Sequence, residues 1–123
     1  MKITRIEDLE AWEEARKLCW MVYAIAKQLP NFEEYNIKKH FRESARGVAA
    51  NIAEGFGRYF YKENLRFYGI ARGCLYEVKS DLYICFDVNY IDQEELKKCL
   101  AQIDKAETKL NGLISNVLGR LND

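Results

Sequence analysis

Proline occurs once in this chain, at Pro30, and histidine once, at His40. With a single proline, long stretches are free of the residue that breaks helices most strongly. A di-metal helical bundle needs two Glu-x-x-His motifs and two further carboxylates, and the chain has no Glu-x-x-His at all. His40-x-x-Glu43 alone is a weak ligand pattern, and a solvated histidine is the plainer reading. The four cysteines, Cys19, Cys74, Cys85 and Cys99, form no Cys-x-x-Cys pair, so the usual zinc and redox spacings are absent. Each lies among apolar neighbours and reads as a free thiol in a reducing compartment. No apolar run reaches the ~18–20 residues of a membrane span. Met1 to Asp8 has no apolar signal core, and a cytoplasmic location is expected. Gly55-Phe-Gly57 is not followed by the lysine of a phosphate loop, and no strand precedes it. No cysteine–histidine pair has an orienting third group. These absences predict a non-enzyme with no cofactor, no metal and no small-molecule substrate.

Net charge is missing too: 19 basic residues balance 19 acidic ones. That argues against a polyanion binder acting through gross charge. The distribution is less even. Residues 37–80 carry nine basic and four acidic side chains, and both flanks are net acidic.

What is present is helical periodicity. The 123 residues suit one domain, 1–123, large enough for a core without disulfides. Trp12, Ala15, Cys19, Val22, Ala26 and Leu29 recur in steps of three and four and predict a helix over about 8–29. Leu18, Met21 and Ile25 widen that stripe. Pro30 ends it, because the residue before proline is driven out of the α region. Asn36 is a candidate N-cap for a second helix over about 37–57, with Ile37, Phe41, Ala45, Val48 and Ile52 as its core stripe. Gly55 and Gly57 mark its end. A third helix over about 61–88 carries Leu65, Tyr68, Ala71, Leu75, Val78, Leu82 and Cys85. Asn89 is its expected left-handed stop. Asp92-Gln-Glu-Glu95 has the form of a capping box and opens a fourth helix over about 93–121. That helix carries Leu96, Leu100, Ile103, Leu110, Leu113, Val117 and Leu121. Four helices with short loops predict an all-α, antiparallel up-down-up-down four-helix bundle.

Ser44 to Arg58 is the stretch around which this bundle is organised. Small residues (Ser44, Ala45, Gly47, Ala49, Ala50) allow another helix to approach closely. Asn51 and Glu54, three apart, share a face. Glu54 is expected to pair with Arg72 on the third helix, with Asn51 completing a structural polar lock. The chain also has 16 aromatic residues, and Tyr59, Phe60, Tyr76, Tyr83 and Tyr90 are candidates for outer faces. That much apolar exterior points to a homo-oligomer, the plainer reading being tyrosines scattered singly over the surface.

The basic residues fall in two strips: Lys38, Arg42 and Arg46 on the second helix, and Arg58, Lys62 and Arg66 at the start of the third. Phosphates would be neutralised by such a face, with Tyr59, Phe60 and Tyr61 beside it able to stack on bases. These six are the candidate nucleic-acid-binding residues. The plainer reading is a solvated face cancelled by acidic neighbours.

Asn51-Ile-Ala-Glu-Gly55, Arg58, Phe67 and Ile70-Ala-Arg-Gly-Cys-Leu-Tyr-Glu77 together resemble the four-helix-bundle proteins of the 23S rRNA intervening-sequence family. Asp8-Leu-Glu-Ala-Trp12 and Asn89-Tyr-Ile91 fit the same pattern, so the resemblance spans nearly the whole chain. That family is similar in fold to the accessory proteins of diversity-generating retroelements. The resemblance implies a closed bundle assembled as a ring-shaped homopentamer. The retroelement proteins bind a reverse transcriptase and present a basic surface to nucleic acid, which implies RNA or a nucleic-acid-binding protein as a partner. The chain departs from the pattern at Glu43, where a second arginine is usual, and at Arg46 and Gly47, which replace Val and Ser types. Ala49 and Ala50 replace a Pro-Ser pair, and Cys74 replaces serine. A protein–protein adaptor with no nucleic-acid contact is the alternative.

Overall fold

The computed structural model describes residues 2–121, which form four long helices. They are α1 (Glu10–Gln28), α2 (Ile37–Phe56), α3 (Tyr61–Asp87) and α4 (Gln93–Leu121). Short 3-10 turns at Ile6–Asp8 and Asn31–Glu33 lead into the first two. The described residues contain no strand.

Local chemistry sets the ends. Leu29 leaves the helical region (φ −72, ψ 149) immediately before Pro30, as that proline requires. Asn89 has φ 66, and Asn89 N–H and Tyr90 N–H bond back to the carbonyls of Phe86 and Cys85. This is the Schellman arrangement, which satisfies carbonyls that a helix end leaves bare. Asp92 and Glu95 cap α4 reciprocally: Glu95 N–H donates to Asp92 Oδ1 at 2.8 Å, and Asp92 N–H to Glu95 Oε1 at 3.3 Å. Asn36 stands at the N-cap position of α2, but its side chain makes no capping bond. Gly57 does not adopt a left-handed conformation either (φ −78). Instead the buried side chain of Asn64 closes the α2–α3 turn, donating to the carbonyls of Gly55 and Arg58 at 2.6 and 2.9 Å.

Cross-links fix the directions. Between α2 and α3 the partners run in opposite senses: His40 with Asp81, Ser44 with Glu77, and Gly47 against Cys74. Arg72 meets Asn111 and Tyr76 meets Glu107, so α3 and α4 are antiparallel. Glu10 meets Lys109 and Glu14 meets Gln102, which closes α4 onto α1. The result is the up-down-up-down bundle.

The core is filled by Leu18, Val22, Phe41, Val48, Ile52, Leu75, Leu82, Ile103 and Leu110, all essentially inaccessible. On α1 the deep stripe is rotated from the predicted one. Leu18 and Ile25 are buried, whereas Trp12 and Cys19 are only half-buried at its edge. On α4, Cys99 and Ala106 are in the core, and Leu121 faces outward. A Cβ on Gly47 would lie 2.9 Å from Cys74 Sγ, and one on Gly55 would lie 2.7 Å from the Tyr68 ring. The second and third helices therefore approach closely at both glycines.

Candidate nucleic-acid interface

The six predicted cations do not form one surface. Lys38 is buried in the first turn of α2, its Nζ 3.1 Å from Glu34 Oε1. Arg42 reaches the other oxygen of the same carboxylate at 2.5 Å. Together, Arg42 foremost, they hold the Glu34 carboxyl below its ordinary range. Both charges are thereby spent on tying the turn before α2 to the helix. Arg58 is matched by Glu54 at 3.1 Å and Glu63 at 3.6 Å.

Arg46, Lys62 and Arg66 are exposed and make no salt bridge among the described residues. Arg46 stands apart from the other two. Gly47 faces Cys74, so Arg66 lies level with about residue 55 of α2. Nine residues of helix separate that level from Arg46, roughly 14 Å at 1.5 Å per residue. Lys62 and Arg66 instead share the corner where α2 passes into α3. Tyr59 (89% exposed) and Phe60 (65%) project there, edge to face, with centroids 5.3 Å apart. The guanidinium groups of Arg58 and Arg66 lie 4.7 and 5.3 Å from the Phe67 ring, so one aromatic holds two cations. The corner therefore presents aromatic faces beside unpaired positive charge.

The predicted polar lock of Asn51, Glu54 and Arg72 is not formed. Glu54 is exposed and pairs with Arg58 one turn along. Asn51 turns back to its own helix and donates to the Gly47 carbonyl at 2.8 Å. Arg72 lies on the opposite flank of α3, donating to Asn111 Oδ1 at 3.0 Å and approaching Glu107 at 3.4 Å. Tyr76 donates to the same Glu107 carboxylate at 2.5 Å. The clasp that forms is thus between α3 and α4. Its α4 members sit four residues apart on a polar face, a spacing that carries no hint of the helix they meet. The polar link between α2 and α3 is made instead by Ser44 with Glu77 and His40 with Asp81. Sequence reasoning also passed over Asn64, although a poor helix former inside the first turn of α3 is itself a signal.

The outer aromatics are more numerous than expected. Tyr76 and Tyr83 are exposed as predicted, but Tyr90 is half-buried and donates to Glu33 at 2.7 Å. Trp20 (57% exposed) and Tyr23 also face outward from α1. With Cys19, Ala24 and Lys27 they line an open, almost wholly apolar depression. A second shallow groove adjoins it at Cys19 and runs along α2 over Glu43, Arg46, Gly47 and Ala50. Burial raises the Cys19 thiol pKa, and Arg46 opposes that rise. Among the described residues, no group of three His, Cys, Asp or Glu side chains is placed to hold a metal ion. No helix there is long and apolar enough to cross a membrane.

A crystal structure of a protein of unknown function from the S23 ribosomal protein family of Bacteroides thetaiotaomicron has the same fold. It superposes with a TM-score of 0.78 at 17% identity, covering 85% of this chain and 97% of that one. No curated protein matches the chain. Residues 7–112, which hold the first three helices and most of the fourth, match the 23S rRNA-intervening sequence protein family, and the chain belongs to that family.

Proposed function

We propose that the chain is a non-enzymatic cytoplasmic scaffold that assembles with copies of itself, as a ring of five, and offers its α2–α3 corner to RNA or a ribonucleoprotein. The observation that carries this reading is the apolar exterior. Trp20 and Tyr23 on α1 face water at a shallow apolar depression that adjoins a groove over Gly47 and Ala50, and Tyr59 and Phe60 project separately from the corner. Large exposed apolar side chains grouped in this way on α1 are the kind of surface that marks an interaction site on a small protein. The four unpaired cysteines fit a reducing compartment.

RNA is the nucleic acid to test first, because the family is named for an intervening sequence of 23S rRNA. Unpaired bases can stack on Tyr59 and Phe60 while Lys62 and Arg66 neutralise phosphates. Fluorescence anisotropy with a structured RNA carrying an unpaired loop tests this. Binding should weaken as salt rises, and Lys62→Glu with Arg66→Glu should reduce it at every salt concentration. No binding at low ionic strength removes the nucleic-acid part.

One observation favours the adaptor reading instead. Lys38, Arg42 and Arg58 are matched by carboxylates of the same chain, which leaves little free charge for a polyanion. An adaptor would capture a protein partner through Trp20 and Tyr23, with an affinity insensitive to the Lys62 and Arg66 reversals.

A further inference from the structure

His40 is the chain's one imidazole, and it lies between carboxylates that belong to another helix. Its Nδ1 is 2.5 Å from Asp81 Oδ2, and its Nε2 is 3.6 Å from Glu77 Oε2. Glu77 also accepts a hydrogen bond from the buried Ser44 hydroxyl at 3.1 Å. Glu43, on His40's own helix, adds a third negative charge felt by the ring and lies 3.9 Å from Lys39. The neighbouring cations Lys38 and Arg42 are engaged by Glu34. Asp81 is largely buried, with its side chain 14% exposed, whereas the His40 side chain is half open to water at 52%. Protons can therefore reach the ring, and its charge decides how well this cluster is compensated.

We propose that His40 is a proton-operated clasp between α2 and α3. The imidazolium donates to Asp81 through Nδ1 and faces Glu77 with a second N–H, so one cation joins two carboxylates of α3 to α2. A neutral imidazole has a single N–H. The close contact with Asp81 keeps that proton on Nδ1, and the Nε2 lone pair then faces the Glu77 oxygen. Two acceptors oppose each other, and Glu77 keeps only Ser44 as a donor on α2. Loss of one proton thus turns an attractive contact into a repulsive one at this end of the helix pair.

The direction of the pH dependence follows. The Asp81 hydrogen bond raises the His40 pKa above its ordinary value, with Asp81, Glu77 and Glu43 charges adding to the rise and desolvation opposing it. Stabilisation from a raised pKa is complete below the unfolded value and is lost as pH climbs through the folded one. Burial raises the Asp81 pKa, against the pull of His40. Protonated Asp81 is thereby favoured in the folded chain at acid pH, and that contribution also fades as pH rises, in a separate and lower window. The clasp is closed between the two windows and opens on the alkaline side of His40.

Because the chain has one histidine, one imidazole signal in a proton–carbon NMR titration reports the site directly. The wild-type ring should titrate above the ordinary histidine value, and Asp81→Asn should move it down. Glu77→Gln, at an exposed side chain, should move it down by less and covers the case in which Asp81→Asn does not fold. Thermal unfolding from pH 5 to pH 9 should show a wild-type midpoint that falls through the measured pKa. His40→Gln should lack that fall. A ring titrating at or below the ordinary value, or wild-type and His40→Gln midpoints that run parallel, overturns the proposal.

Discussion

Gly55 sits where a methyl group has no room. A Cβ there would press on the Tyr68 ring at 2.7 Å and on the Asn64 carbonyl at 3.1 Å. Gly55→Ala should therefore lose about 1–3 kcal/mol in urea unfolding, the usual range for overpacking. Gly73 has open space instead, with nothing within 4 Å of an added Cβ. Gly73→Ala should raise the stability of the isolated chain by up to about 1 kcal/mol, through helix propensity alone. A loss at Gly73 in dilute solution would show that something within the chain needs the glycine. The cysteines divide in a similar way. Burial pushes the Cys85 thiol up to about 11 and Cys99 up to about 12. Thiolates are the reactive species, so both should resist alkylation at pH 8 until the chain unfolds. Cys19 and Cys74, half-buried, should react first, and mass spectrometry of briefly labelled protein gives the order.

Helix ends carry a measurable share of the fold. The box that opens α4 uses both the side chain and the backbone of Asp92. Asp92→Ala should cost about 1 kcal/mol, within the usual 0.5–2 for a lost N-cap, read as a lower denaturation midpoint with an unchanged slope. At the other boundary the α2–α3 turn is fastened by Asn64 and by close approach at Gly55, not by a left-handed glycine. That matters for the corner beyond it, because Tyr59 and Phe60 are held out on a short, pinned connection. An aromatic presented from such a connection loses less freedom on binding than one on a loose loop.

At the scale of the molecule, balanced charge and an apolar exterior point the same way. Acids and bases cancel, and salt bridges consume much of the basic centre. Beside the unpaired Lys62 and Arg66, the large apolar side chains that remain exposed at the corner and on α1 are aromatic. Trp20→Lys should leave the helix content unchanged by circular dichroism and lower the mass seen by light scattering. It should also remove any dependence of the melting midpoint on protein concentration, since association stabilises a chain by mass action. A monomer at high concentration in the wild type would end the scaffold reading.

The sequence alone determined much of what depends on neighbours within a turn or two, although Asn36 makes no capping bond and Glu54 pairs with Arg58 four residues along. Helix periodicity, the stop at Pro30, the left-handed Asn89 and the Asp92–Glu95 box are all local, and the structure contains each of them. The bundle followed from them, because four amphipathic helices on short loops have few ways to bury their stripes. Only the tertiary structure decided which polar groups meet across helices. Spacing alone pairs Glu54 with Arg72, but a rotation of one residue about a helix axis moves a side chain by 100°, and periodicity does not resolve that angle. The same uncertainty hid Trp20, which a stripe shifted toward Leu18 and Ile25 turned out to water, and hid the meeting of His40 with Asp81, 41 residues away.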